Sequence, residues 1–149
     1  TNLKLYPPLR ATAERDALKA AVLNGSVDCI ASHHQPHEYD SKVCEFEYAK
    51  AGMIGLETSY GVIGAVFGDQ LSAEKWVELV SINPRRVLDL EMPVIKEGAP
   101  ANVTMFIPQA TYVFTEDAIR SKSKNSAFVG RELKGKVIGI INNNQLKLN

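Results

Sequence analysis

The sequence predicts an α/β fold followed by a smaller β-rich part, and three observations predict it. The run from Val27 to Ala31 crowds its apolar residues together instead of alternating them, as a strand covered on both faces requires. A helical pattern from Thr12 to Leu23 separates that run from a short extended segment, Asn2 to Tyr6. After Leu90 the texture changes to short alternating runs broken by Gly, Pro and Asn, which read as small antiparallel strands.

Taken in order, Asn2 to Tyr6 reads as a strand closed by Pro7-Pro8, a pair that removes two amide donors and holds the chain extended into a loop. Thr12 is the expected N-cap of the first helix, with Glu14 and Asp16 in its first turn and Gly25 as its stop. Strand, helix and strand then form one right-handed βαβ unit. The charged segment Glu38 to Lys50 reads as a solvated loop. Met53 to Phe67 reads as a helix that is apolar nearly all round, with Leu56, Tyr60, Ile63 and Phe67 on one stripe. Gly61 and Gly64 would be costly in an exposed helix and make sense where another backbone packs closely.

Ser72 caps a further helix, Ala73 to Ile82, whose Trp76, Leu79 and Val80 face a core; Asn83-Pro84 ends it and caps the next. Strands are expected at Asn102 to Ile107, Thr111 to Phe114, Gly135 to Ile141 and Gln145 to Leu148, with Asn142-Asn143-Asn144 as a hairpin turn. Ser121 to Lys124 has the small polar residues and two lysines of a phosphate-friendly loop, and reads better as a surface turn.

The apolar run from Val27 ends abruptly in Ser32-His33-His34-Gln35-Pro36-His37, and these are all the histidines of the chain. In α/β folds the carboxyl ends of strands are where chemistry is assembled on a rigid base. As a generic metal motif His34-x-x-His37 is weak, because two histidines do not close a zinc site.

The segment Ile30-Ala31-Ser32-His33-His34-Gln35-Pro36-His37 resembles the last barrel strand of the dihydroorotases, amidohydrolases whose pattern there is Thr/Ser-Asp-His-Ala-Pro-His. Leu3-Lys4-Leu5-Tyr6-Pro7-Pro8-Leu9-Arg10 is similar to the family's Lys-Val-Asn-Pro-Pro-Leu-Arg upstream of it. Gly52 to Thr58, Asn83-Pro84, Ser121 to Ser126 and Leu133 to Val137 follow in the family's order. The resemblance implies the carboxyl-terminal part of a (β/α)8 amidohydrolase barrel, its last two strands and helices in residues 1–90. Strands of a flanking β-sandwich are then expected in residues 91–149. A whole barrel takes about 250 residues, so the chain is expected to be part of a longer protein.

The same resemblance assigns roles. His33 stands where the family has the aspartate that moves a proton between the metal-bound hydroxide and the departing amide nitrogen. Three readings of His33 stay open: a substitute proton shuttle or extra metal ligand, the mark of a catalytically dead relative, or a satisfied polar residue at a strand end. His37 matches a histidine that contacts the substrate's carboxylate, Tyr6 replaces an asparagine that bonds the pyrimidine ring, and Gly52 falls where a backbone group meets substrate. His34 is expected to be an orienting, hydrogen-bonded group. The expected cofactor is zinc, held in the full-length protein by ligands outside this segment.

The expected function is that of a dihydroorotase-like cyclic amidohydrolase, interconverting dihydroorotate and carbamoyl aspartate in pyrimidine synthesis, with this segment inactive alone. The alternative is a dead homologue serving as scaffold or regulator of another pyrimidine enzyme. A hydrolase of another cyclic amide, such as a hydantoin, is a third reading, which the order of motifs disfavours.

Composition narrows the partners. Of 149 residues 45% are hydrophobic, enough for a core, and 17 Lys+Arg balance 17 Asp+Glu. Nothing global draws such a chain to nucleic acid or to an anionic membrane, and no apolar run reaches the ~20 residues of a membrane helix. Cys29 and Cys44 match no zinc or redox spacing, and a reduced, cytoplasmic thiol pair is expected. Uncovered strand edges and the apolar helix predict a homo-oligomer for the segment.

Overall fold

The computed structural model describes residues 1–149. Helix α1 runs from Thr12 to Leu23. Its N-cap is Ala11, one residue before the expected Thr12, and the Glu14 carboxylate accepts from the Ala11 N–H at 2.9 Å. That bond meets an amide the helix cannot satisfy itself, so a side-chain cap is not needed to start it. Gly25, at φ +82°, turns the chain after Asn24.

The expected parallel pair of strands does not form. Neither Asn2–Tyr6 nor Val27–Ala31 makes a strand ladder, and the nearest feature is a single parallel bridge between His34 and Met53. Their backbones bond elsewhere: Ile30 N–H donates to Leu79 O at 3.0 Å, and Lys4 O accepts from Gly52 N–H at 2.8 Å. Val27, Cys29 and Ile30 are only half-buried, and Asp28 and Ala31 are exposed. A strand in a closed parallel sheet needs a neighbour on each side and helices on both faces. These two segments have neither.

Helix α2, Ser59–Phe67, is shorter than the expected Met53–Phe67. Residues 53–58 instead serve the histidine loop: His34 takes the N–H groups of Gly55 and Leu56, and a Cβ on Gly55 would overlap Ser32 O. Leu56 is therefore 64% exposed and is no part of a buried stripe. The close approach of another backbone expected at Gly61 and Gly64 is present at Gly64, whereas Gly61 is crowded by side chains. A Cβ at Gly61 would lie 2.6 Å from Tyr112 Oη, and one at Gly64 would overlap Lys134 O.

Ser72 Oγ accepts from Lys75 N–H at 3.2 Å and caps helix α3, Ala73–Val77. The helix then widens into a π turn, Glu78–Ile82, and continues as α4, Asn83–Val87. Asn83 is helical and caps nothing; its side chain donates to Asp28 O at 2.9 Å. Pro84 offers no amide to the carbonyl four residues back and its ring crowds that carbonyl, and a widened preceding turn lets the helix run on.

One antiparallel sheet closes the chain, in the order β1 (Val103–Val113), β2 (Glu132–Asn142) and β3 (Gln145–Leu148). The two strands expected at 102–107 and 111–114 are one, interrupted between Ile107 and Thr111 where Pro108 cannot donate to the ladder. Asn143 and Asn144 take φ +48° and +60° in the β2–β3 hairpin turn, a conformation asparagine tolerates better than most residues. Two apolar clusters hold these parts together. Val22, Ile63, Phe67 and Leu79 join the helices, with Trp76 and Val80 packed against them. Ile54, Phe114, Ile119 and Leu133 join the histidine-loop side to the sheet.

Candidate functional site

The loop Ser32–His37 leaves the apolar run at His33, whose φ of +46° lies in the left-handed region that most side chains avoid. The His33 imidazole is exposed, with Nε2 3.4 Å from Gln35 Nε2. His34 turns inward. Its Nδ1 accepts from the N–H groups of Gly55 at 3.1 Å and Leu56 at 3.3 Å, so the ring proton of the neutral form lies on Nε2.

His37 is fixed at both ring and backbone. Its Nε2 lies 2.9 Å from the Ala51 carbonyl, a contact that requires the proton on Nε2. Its backbone N–H reaches Ser123 Oγ at 3.0 Å and Asn125 Oδ1 at 3.3 Å. The Ser123 hydroxyl has one proton, which serves either the His37 carbonyl or Asn125 Oδ1 at 2.7 Å. Asn125 is buried and fully used: Nδ2 donates to Gln35 O at 3.2 Å and Gly52 O at 3.3 Å, and its own carbonyl accepts from Ile54 N–H at 3.0 Å. Buried amides of this kind are seldom left unpaired because each missing bond costs about 1–3 kcal/mol.

Gly52, at φ +122°, has its polar groups occupied within the chain. Its N–H donates to Lys4 O, and its carbonyl accepts from Asn125 Nδ2 and, at 3.0 Å, from Lys42 Nζ. The Gln35 side chain lies over it: a Cβ on Gly52 would overlap Gln35 Oε1, an oxygen that is buried without a partner. Tyr6 is 75% exposed. A cleft of about 1060 Å³ opens beside the loop, and of the five expected site residues only His37 lines it, together with Lys42, Lys122, Ser123 and Asn125.

Sequence reasoning missed Lys42, Ser123 and Asn125. Lys42 falls in the segment read as a solvated loop, yet it is 4% exposed, and burial, then the neighbouring Lys4, pull its ammonium below the ordinary lysine range. Ser121 to Lys124 was expected to be a surface turn. Lys122 and Lys124 are exposed, but Asn125 and Ser126 beside them are buried, and the turn is tied down by Glu57, whose carboxylate takes the N–H groups of Arg120 at 2.7 Å and Ser121 at 2.8 Å. The available signal was composition: an amide-bearing residue beside small hydroxyls is suited to satisfying backbone groups that lack a ladder.

The residues present do not fit a metal centre. No three His, Cys, Asp or Glu side chains come together, and the ring nitrogens of His34 Nδ1 and His37 Nε2 are taken by backbone groups. What the arrangement can do is hold the His37 imidazole in a set orientation at the cleft, beside the exposed lysines Lys122 and Lys124, whose ammonium groups can meet a ligand with acceptor oxygens.

No family model matches the chain. Among curated proteins, the chain is 38% identical over 147 residues to the dihydroorotase of Chlorobaculum tepidum and 40% identical over 148 residues to that of Clostridium acetobutylicum. These matches cover 97% and 98% of this chain but 34% and 35% of the relatives, so the chain spans about a third of their length. Among solved structures, it superposes on a D-hydantoinase with a TM-score of 0.83 at 23% identity, and on the dihydropyrimidinase of Brevibacillus agri with a TM-score of 0.81 at 20% identity. Each superposition covers 99% of this chain and 34% of the other. The solved structures carry the fold and the curated relatives carry the sequence: the chain is dihydroorotase-like over nearly its whole length, and it corresponds to about a third of theirs.

Proposed function

We propose that the protein to which this chain belongs is a cyclic-amide hydrolase of dihydroorotase type, and that the chain supplies the substrate-facing corner of its site. The observation that carries this reading is the orientation of His37 at a cleft, within a stretch 38% identical to a dihydroorotase over nearly its whole length. In this reading His37 meets the substrate's carboxylate from Nδ1, in the ring form that carries both protons while Nε2 stays on the Ala51 carbonyl, and His34 stiffens the loop. His33 stands where a proton is moved, and Gly52 acts indirectly, its missing side chain letting Gln35 of the histidine loop lie close over it. Tyr6 stands outside the cleft, with its phenol exposed to solvent and free to reach a ligand only from that side. Zinc belongs to ligands outside this chain, and the chain by itself hydrolyses nothing. Residues 1–90 are the barrel's share and 91–149 the sandwich's, with Ile54 packed on Phe114 and Leu133 at the seam.

No helix is long and apolar enough to cross a membrane; as a pyrimidine enzyme the protein would work in the cytoplasm in this reading. Uncovered apolar side chains such as Leu3, Leu9, Leu56 and Val66 support association of the chain with copies of itself. The second reading, a scaffold or regulator of another pyrimidine enzyme, is favoured by one observation: an exposed imidazole, His33, stands in place of a carboxylate.

Turnover of dihydroorotate by the full-length, metal-loaded protein separates the two. The hydrolase reading expects measurable ring opening, with His37→Ala raising KM more than it lowers kcat. No turnover in the natural protein together with activity gained in His33→Asp would transfer the case to the second reading. Failure of both proteins to bind dihydroorotate in calorimetry would end the first.

A further inference from the structure

We infer that Lys42 is a positioning residue for His37, acting through the three-residue turn Lys50-Ala51-Gly52. The His37 ring is held by one acceptor, the Ala51 carbonyl at 2.9 Å. The carbonyls on either side of Ala51 both converge on Lys42 Nζ, Lys50 O at 2.7 Å and Gly52 O at 3.0 Å. The turn is further pinned by Lys50 N–H on Ser41 O at 3.0 Å and Gly52 N–H on Lys4 O at 2.8 Å. Between two fixed carbonyls, the Ala51 peptide has little freedom to rotate, and the direction of its oxygen sets the direction of the imidazole.

The choice of side chain follows from the donors required. Two carbonyl oxygens that approach one point repel each other and have no ladder partner; an ammonium places separate N–H groups on both and neutralises the repulsion. Arginine's planar fork delivers its donors in parallel and does not suit two converging acceptors. Burial of the stem is consistent with this task, since Lys42 is 4% exposed and neighbouring Ala49 is 3% exposed. A lysine retained only for solubility would place its charge in water. Asn125 Nδ2 supports the same Gly52 oxygen from the opposite loop, so Lys42 and Asn125 bracket the turn from two distant parts of the chain.

The consequence for ligand binding rests on the proposed function, but the positioning itself does not. The test uses the full-length protein with Lys42→Met, which keeps the stem and removes the donors, and Lys42→Gln, which keeps a donor for one carbonyl. Nitrogen NMR of the His37 ring, assigned by its loss in His37→Ala, reads the tautomer directly. The natural protein is expected to show the proton on Nε2, Lys42→Met a mixture of both tautomers, and Lys42→Gln an intermediate state. Calorimetry with dihydroorotate is expected to weaken about tenfold in Lys42→Met, and Lys42→Arg is expected not to restore it.

An unchanged His37 tautomer in a folded Lys42→Met protein would overturn the inference. So would loss of the fold in both Lys42→Met and Lys42→Gln, which would make Lys42 a general stability residue. A shifted tautomer without dihydroorotate binding in any variant would leave the positioning role standing and remove the functional reading instead.

Discussion

The joint between helix α2 and strand β2 and the histidine loop are built on opposite terms. At the joint, shape does the holding: Gly61 and Gly64 let the helix backbone settle onto Tyr112, Leu133 and the Lys134 carbonyl, and Ile63 and Phe67 fill one apolar cluster. At the loop, hydrogen bonds do it. His34, His37, Lys42 and Asn125 saturate backbone groups of a segment that has no strand ladder. Packing tolerates no added atom, whereas a polar bracket tolerates shape changes and fails when one donor is removed. A rigid joint beside a loop set by a few replaceable bonds lets site chemistry change without changing the fold.

The largest expected effect breaks the joint. Gly64→Ala drives a methyl into the Lys134 carbonyl, a backbone atom that cannot rotate aside, so the helix must lift from β2 at a cost of about 3 kcal/mol. Leu79→Ala, which empties a side chain that is 0% exposed, costs about 2–5 kcal/mol. Leu56→Ala, on the exposed turn before α2, costs no more than about 0.5 kcal/mol. Urea midpoints of the full-length variants check the series. Equal shifts for Gly64→Ala and Leu56→Ala would mean that the joint is not the rigid part.

A smaller effect sharpens the contrast at the loop. Asn125→Ala deprives Gln35 O and Gly52 O of a donor and the His37 N–H of one acceptor, for an expected loss of about 1–3 kcal/mol. The damage should stay local, because apolar packing at α2 and β2 makes no use of that amide. Amide hydrogen exchange is expected to quicken at residues 35–54 and to stay slow along β2. Uniform quickening would show that loop and joint open together.

The same contrast explains what was legible in the sequence. Local physics was readable: the extent of α1, the Ser72 cap, the asparagine hairpin turn, and the crowding of two helix glycines, by the Lys134 backbone at Gly64 and by side chains at Gly61. Each is decided by neighbours within a few residues or by a property of the residue itself. The strands at Asn2–Tyr6 and Val27–Ala31 were misread because an apolar run forecasts burial only when something covers it. The polar bracket was missed because its bonds join residues from 8 to 90 apart, Lys42 with Lys50 at one extreme and Gln35 with Asn125 at the other, and no local pattern encodes those meetings. The π turn escaped for a related reason: Pro84 looked like a helix start, and the chain widened the helix instead.

The smallest expected effect is spectroscopic, and it asks whether the joint is as dry as its packing implies. Tyr60 and Tyr112 both stand there, Tyr60 edge-on to Trp76 and Phe106 with centroids 4.5 and 4.7 Å away, and Tyr112 against Gly61. Burial pushes both phenols above their ordinary value, because a phenolate inside the joint would lose its water. Folding therefore holds their protons more tightly than the unfolded chain does. The stability this contributes is complete below the unfolded value of about 10 and is lost as pH rises through the folded values. Difference titration of the full-length protein against Tyr60→Phe and Tyr112→Phe should show each variant missing one phenol that ionises late. In the same variants the alkaline unfolding transition should move to higher pH. If either phenol ionises at the ordinary value while the protein is still folded, water reaches the joint and the division between a packed half and a hydrogen-bonded half does not hold there.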